Sequence, residues 1–223
     1  MSDFSAGFFT VNENKEKIYP YLTKNEFLIQ YNEAWVGKLS PADMETDYQH
    51  QPQTIELSKE VPLLHVVNAE DHGFYMRILH EGEIGFSFEV SYDIRENVFE
   101  EVSYELYGDD RWDIMLTDGD KMKEANEATE KRIQDENIIE TTVATYFANI
   151  NDDNLKIFEI FGFDEETIRN IKNILTVENC IDNSHKMVDN LLDCLGLKQF
   201  SFVSYKYVSY GDDDRFTILN AST

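Results

Sequence analysis

Basic residues are scarce in this 223-residue chain: nineteen Lys and Arg face forty-four Asp and Glu, a formal charge of −25. A like-charge field of that strength repels phosphate and anionic lipid and attracts basic macromolecules. Direct binding to nucleic acid or to a membrane surface is therefore disfavoured, and a basic protein becomes the expected partner. Cysteine is nearly absent too. Cys180 and Cys194 are the only two, whereas a secreted chain of this size more often carries several disulfides. They read as reduced thiols, and the chain as cytoplasmic. Four Pro and ten Gly argue against a linker-rich chain. Residues Met1 to Phe9 place no basic segment before an apolar run, so they do not read as a secretory signal. No apolar stretch approaches the roughly 20 residues of a bilayer-spanning helix.

Aromatic side chains offset the modest apolar fraction. Fifteen Phe and twelve Tyr can fill a core with few residues, which excludes the low-hydrophobicity class of disordered chains. The clearest local order lies at 62–92. Ile84, Phe86, Phe88, Val90 and Tyr92 alternate with smaller or polar residues, and Phe74, Met76 and Ile78 do the same before them. Period-two alternation predicts strands with one dry face. With Leu63–Val67 ahead of them and His80–Glu83 as a turn, these strands form a three-strand meander. Upstream, Thr23 and Glu26 have capping-box spacing, and Leu28, Tyr31, Trp35 and Leu39 follow at helical intervals, so a helix is expected there. A strand through Phe27, Ile29, Tyr31 and Trp35 is the competing pattern.

Two further hairpins are expected near 102–116 and 200–219, because each segment reads as aromatic β sequence broken by a Gly-Asp turn. Between them, 118–197 is helical in pattern. Asp118 or Asp120 opens a long polar helix, Asp164 caps a second, and Ser184 starts a third that Gly196 ends. The expected architecture is one α+β domain over 1–223. It comprises a β-rich part at 1–117, a helical insertion at 118–197 and a β-hairpin returning at 198–219.

Two short segments resemble known families. Tyr107-Gly108-Asp109-Asp110 resembles the Tyr-Gly-Asp-Asp signature of viral RNA-directed polymerases. That resemblance implies a strand-turn-strand holding magnesium ions. It covers four residues, in a chain with little basic charge to hold nucleic acid. Phe161-Gly162-Phe163, followed by helices at 164–175 and 184–195, resembles the ubiquitin-associated three-helix domain over about a fifth of the chain. In that family a Met-Gly-Phe loop contacts ubiquitin. Here Phe161 replaces the Met, and the last two helices are spaced further apart.

His65, Glu70 and His72 are the residues that could gather at one end of the meander as metal ligands. His80 falls at the other end, and His185 and Cys194 are too far apart along one helix to form a nucleophile pair. What remains is carboxylate density. Glu101, Asp109, Asp110 and Asp113 surround Trp112, and Asp212, Asp213 and Asp214 form a second cluster. These residues are expected to engage a basic protein, with Trp112 as apolar anchor. The expected function is a non-enzymatic acidic binding protein without cofactor, of the kind exemplified by immunity proteins or phage-encoded inhibitors that mimic nucleic-acid charge. A metal-dependent hydrolase or phosphotransfer enzyme using the acidic turns or the His65–Glu70–His72 group is the alternative.

Overall fold

The computed structural model describes residues 4–48, 51–69, 71–210 and 215–219. It is an α+β fold: a seven-stranded antiparallel sheet with helices on its faces. The strands are β1 (Phe4–Val11), β2 (Phe27–Gln30), β3 (Trp35–Leu39), β4 (Leu63–Ala69), β5 (Gly73–His80), β6 (Glu83–Ser91) and β7 (Thr217–Ile218). Their order is β6-β5-β4-β1-β3-β2-β7.

The expected meander is β4-β5-β6, paired throughout in consecutive antiparallel register. Its second turn places Glu81 and Gly82 at φ +55° and +83°, the paired left-handed geometry that a two-residue hairpin requires. One detail departs from the simple alternation. Ile78 pairs with Phe86 but Leu79 pairs with Ile84, so Gly85 is an extra residue, a β-bulge. The bulge turns Ile84 away from Phe86 and Phe88, onto the opposite face, where it is half exposed.

The helix expected at 23–39 is instead the β2–β3 hairpin. Its residues are buried on both faces, including Leu28, Ile29, Trp35, Val36 and Leu39. A helix offers only one stripe for burial; a central strand pair offers both sides. The Asn32 side chain closes the turn by accepting from the N–H groups of Ala34 and Trp35, each at 2.9 Å. The capping-box residues remain bonded to each other. Glu26 Oε2 accepts from Thr23 N at 2.7 Å, but it closes a turn that leads into β2.

The helices are α1 (Lys15–Ile18), α2 (Pro52–Glu60), α3 (Ile94–Tyr107), α4 (Arg111–Thr117), α5 (Gly119–Asp135), α6 (Ile138–Tyr146), α7 (Asp152–Leu155), α8 (Glu165–Ile174), α9 (Val177–Cys194) and α10 (Tyr205–Ser209). The segment 102–116 is therefore helical, not a hairpin. Val98, Val102 and Ser103 form its buried stripe, while Tyr104 and Leu106, which create the apparent alternation, are exposed. Gly108 at φ +68° ends α3, and the Gly108–Asp110 turn links two helices. It does not have the strand-turn-strand form of a polymerase signature.

The described residues of 200–219 likewise form no hairpin. Gln199 and Phe202 adopt left-handed φ of +60° and +59°, which interrupts any strand, and α10 follows. Among the described residues of this segment, only Thr217–Ile218 returns to the sheet, beside β2. The helices thus run from residue 94 to 209, a wider span than 118–197, between strands at opposite edges of one sheet. Asp118 caps α5 by accepting from Asp120 N, and Asp164 caps α8 by accepting from Thr167 N, both as expected. The third helix starts at Ser184 as expected: within α9 the extended backbone of Asn183 (φ −168°, ψ 94°) separates two helical pieces, and Asn183 Oδ1 caps the second by accepting from Lys186 N at 2.9 Å.

One sheet face carries Phe9, Leu64, Val66, Phe74, Met76, Phe86 and Phe88 against α6, α8, α9 and α10. The Phe161–Phe163 turn belongs to this core. Its rings lie 5.5 and 6.1 Å from that of Trp35, and Phe161 is buried. The other face packs Phe8, Leu28, Val36, Leu63 and Leu79 against α2. Helices α3 and α5 have a small core of their own, Val98, Val102 and Ile133.

Candidate functional site

Two places concentrate polar chemistry. The first is the α3–α4 turn. A charge lattice holds α3, α4 and α5 together through Arg95–Glu130 at 2.7 Å, Arg111–Glu100 at 2.9 Å and Arg132 with Glu105, while Lys121–Glu124 at 2.7 Å lies within α5. Most basic side chains of this unit are thereby spent on internal carboxylates. Among the described residues, Asp109, Asp110 and Asp113 make no ion pair, and all three are exposed. Trp112 stands beside them, 41 % exposed, with its ring centre 6.2 Å from that of Phe99. Leu116, one helical turn further on, is 76 % exposed, and Tyr104 adds a third ring face at 53 %. Arg111 lies between the Tyr104 and Trp112 rings, 5.6 and 6.0 Å from their centres.

The α3–α4 turn therefore brings together Asp109, Asp110, Trp112 and Asp113. Glu101 is exposed on α3, and its charge adds in a minor way to the upward shift of Arg132 of α5, which comes first from the hydrogen bond to Glu105. Asp212, Asp213 and Asp214 lie outside the described residues. Tyr104 and Leu116 are the members that sequence reasoning missed. Their signal was present as apolar residues off the i, i+4 stripe of Val98 and Val102, but it requires knowing that the segment is a helix.

The second place is a row of polar side chains crossing the α2-facing side of the sheet. In register from β3 to β6 run Lys38, Phe8, His65, Arg77 and Ser87. Lys38 is 1 % exposed and His65 fully buried. Lys38 Nζ meets Glu26 Oε1 at 2.5 Å. The His65 ring stacks on Phe8, with centres 4.1 Å apart. Its Nε2 lies 2.7 Å from the carbonyl oxygen of Asp43 and its Nδ1 2.6 Å from the Tyr48 hydroxyl. A carbonyl can only accept, so Nε2 carries the proton and Nδ1 accepts from Tyr48. Burial pushes the His65 pKa down to about 4 and that of Tyr48 up to about 12, so both are neutral near pH 7. Arg77 completes the row, with its guanidinium carbon 4.5 Å from the Tyr75 ring centre and Nη1 donating to Thr46 O at 2.7 Å.

Asp43 is 3 % exposed. Its carboxylate accepts from Tyr205 N at 2.7 Å, yet burial outweighs that bond and pushes its pKa up to about 7. Nothing in the sequence near Asp43 signals this environment. Lys38, by contrast, is visible as a lone lysine within the apolar run Trp35–Leu39.

The histidines considered as metal ligands are placed apart in function. Both His65 nitrogens are engaged within the core, and His72 is exposed in the β4–β5 turn, with Nδ1 3.0 Å from Asp93 Oδ2. Glu70 lies outside the described residues. Among the described residues no three His, Cys, Asp or Glu side chains are arranged to hold a metal ion, and none of their helices is long and apolar enough to cross a membrane. Cys180 and Cys194 are free thiols, and burial pushes Cys180 up to about 11. No protein-family model, curated protein or solved structure matches this chain.

Proposed function

We propose that this chain is a non-enzymatic binding protein that engages a basic protein through the α3–α4 turn. The observation that carries the reading is one juxtaposition. Trp112 and Leu116 are exposed beside Asp109, Asp110 and Asp113, in a unit whose other charges are mostly paired internally. Exposed carboxylates accelerate and orient the approach of a cationic surface. Charge at a rim contributes little affinity by itself, whereas a tryptophan that becomes desolvated at the centre of an interface contributes much. The patch has both parts. It suits a cytoplasmic partner whose basic surface ordinarily meets nucleic acid, which is the mode of action of an immunity protein or a phage-encoded inhibitor working by charge mimicry.

The test is affinity capture with mass spectrometry at low and high salt, using the intact chain and two variants. Basic proteins should be captured at low salt and lost at high salt. Trp112→Ala should weaken capture of the same proteins by roughly thirtyfold, as expected for about 2 kcal/mol at a hot spot. Combined reversal of Asp109, Asp110 and Asp113 to Lys should abolish it. Capture of an identical set by the triple variant would sink the proposal.

A further inference from the structure

Asp43 forms part of the wall of a cavity of about 290 Å³. Phe4, Met44, Tyr205 and Tyr207 line the same cavity, and Lys206 stands at its rim. Each ring is held by a second aromatic: Phe4 stacks on His72 at 6.1 Å, Tyr205 on Phe27 at 5.4 Å, and Tyr207 meets the edge of Phe202 at 5.2 Å. Rings fixed in this way lose little freedom when a ligand enters.

The charge balance around Asp43 is incomplete. Lys38 of β3 is the nearest buried cation, and it is committed to Glu26 at 2.5 Å. His65 of β4 and Tyr48, of the loop that carries Asp43, are neutral near pH 7. Tyr205 of α10 supplies only a backbone N–H. Among the described residues no ion pair reaches Asp43, so ionising it leaves a buried negative charge that Lys38, shared with Glu26, offsets only in part. The missing component is a cation, and three of the side chains lining the cavity, Phe4, Tyr205 and Tyr207, are aromatic. Rings attract cations through their quadrupole, and aromatic cages are the recurring solution for alkylammonium recognition.

We propose that this cavity is a socket for an alkylammonium group, supplied by a free quaternary amine or by a lysine side chain of a bound protein. The site is separate from the α3–α4 turn and stands or falls independently of it. Binding places a positive charge against Asp43, so the carboxyl gives up its proton as the ligand enters. Affinity therefore rises roughly tenfold between pH 6 and pH 8, as the carboxyl ionises without the ligand's help. Lys206 at the rim opposes the ligand, and its removal tightens binding.

The experiment is a titration of the intact protein, followed by amide chemical shifts, with three probes: choline, Nα-acetyl-lysine methylamide, and the neutral choline isostere 3,3-dimethyl-1-butanol. Shifts are expected at Phe4, Asp43, Met44 and Tyr205–Tyr207. At least one cation should bind ten times or more tightly than the neutral isostere. Preference for choline identifies a small amine as the natural source, and preference for the lysine amide identifies a protein side chain. Asp43→Asn keeps an acceptor for Tyr205 N and should cost tenfold or more in affinity while erasing the pH dependence. Tyr207→Ala should weaken binding, and Lys206→Ala should strengthen it, each in a variant whose remaining spectrum is unchanged. Equal binding of the neutral isostere, unaltered affinity and pH dependence in Asp43→Asn, or no shift with either cation at roughly 50 mM, far above a millimolar Kd, would overturn the proposal.

Discussion

Tyr48 donates its hydroxyl proton to Nδ1 of His65, because Nε2 of the same ring is committed to the Asp43 carbonyl. This bond locks a neutral imidazole under the sheet and ties the 40–48 loop to β4. Tyr48→Phe removes the donor and leaves Nδ1 buried and unsatisfied. The expected loss is about 1–3 kcal/mol, read from urea unfolding midpoints at pH 7. A loss below the error of the measurement would mean that water replaces the hydroxyl.

His65 and Asp43 pull the pH dependence of stability in opposite directions. Folded His65 resists protonation down to about 4, while the unfolded residue takes up a proton near 6.5. Its contribution is therefore complete above pH 6.5 and lost as pH falls towards 4. Folded Asp43 holds its proton up to about 7, against an unfolded value of 3.8. Its contribution is complete below 3.8 and lost as pH rises towards 7. Across the shared window the two largely offset each other. Asp43→Asn leaves the His65 slope unopposed, so the variant should lose about 3 kcal/mol more than the parent between pH 6.5 and pH 4. Denaturant titrations at several pH values check this; parallel profiles for the two proteins would refute it.

The Lys38–Glu26 pair should behave as a buried ion pair does. Glu26→Gln retains an oxygen for Thr23 N but strands the ammonium, and is expected to cost about 3–5 kcal/mol. The double variant Lys38→Met with Glu26→Leu should recover most of that loss, since no charge is left buried. A double variant as unstable as the single one would show that the pair organises its surroundings beyond its own charge.

Gly85 is required by a close approach. A Cβ at that position would stand 2.2 Å from Ile157 Cδ1. The clashing atom is the end of a flexible side chain, so Gly85→Ala should cost only about 1–2 kcal/mol. Adding Ile157→Val removes Cδ1 and should restore part of the loss. Thermal unfolding of the three variants tests the coupling.

Leu116→Ser and Asp113→Lys remove exposed groups and should leave stability within about 0.5 kcal/mol of the parent. Val102→Ala, in the small core of α3 and α5, should cost about 1–3 kcal/mol. This contrast makes the α3–α4 patch separable from folding. Binding defects in the surface variants can then be read without a stability correction.

The parts of the fold legible in sequence are those governed by neighbours in the chain. Asp118 and Asp164 cap helices because a short side-chain acceptor meets N–H groups two or three residues on. The β5–β6 turn forms where Glu81 and Gly82 accept positive φ. The alternation of β6 shows its dry face from Phe86 onward, although not the bulge that turns Ile84 outward. At 102–116, Tyr104, Leu106, Trp112 and Leu116 give the period of a strand while Val98 and Val102 give that of a helix. Burial against α5 decides for the helix.

The −25 charge, the scarcity of cysteine and the local caps and turns are properties of the sequence alone, because composition and short-range bonding do not depend on which elements later meet. The sheet order, the hairpin at Phe27–Leu39 and the buried row from Lys38 to Arg77 depend on tertiary structure. Each requires strands distant in sequence to choose one another, and that choice rests on how much apolar surface every alternative pairing would bury. The carboxylates divide the same way. Asp109, Asp110 and Asp113 could be singled out by density alone, whereas Asp43 differs from them only through the strands and helix that close over it.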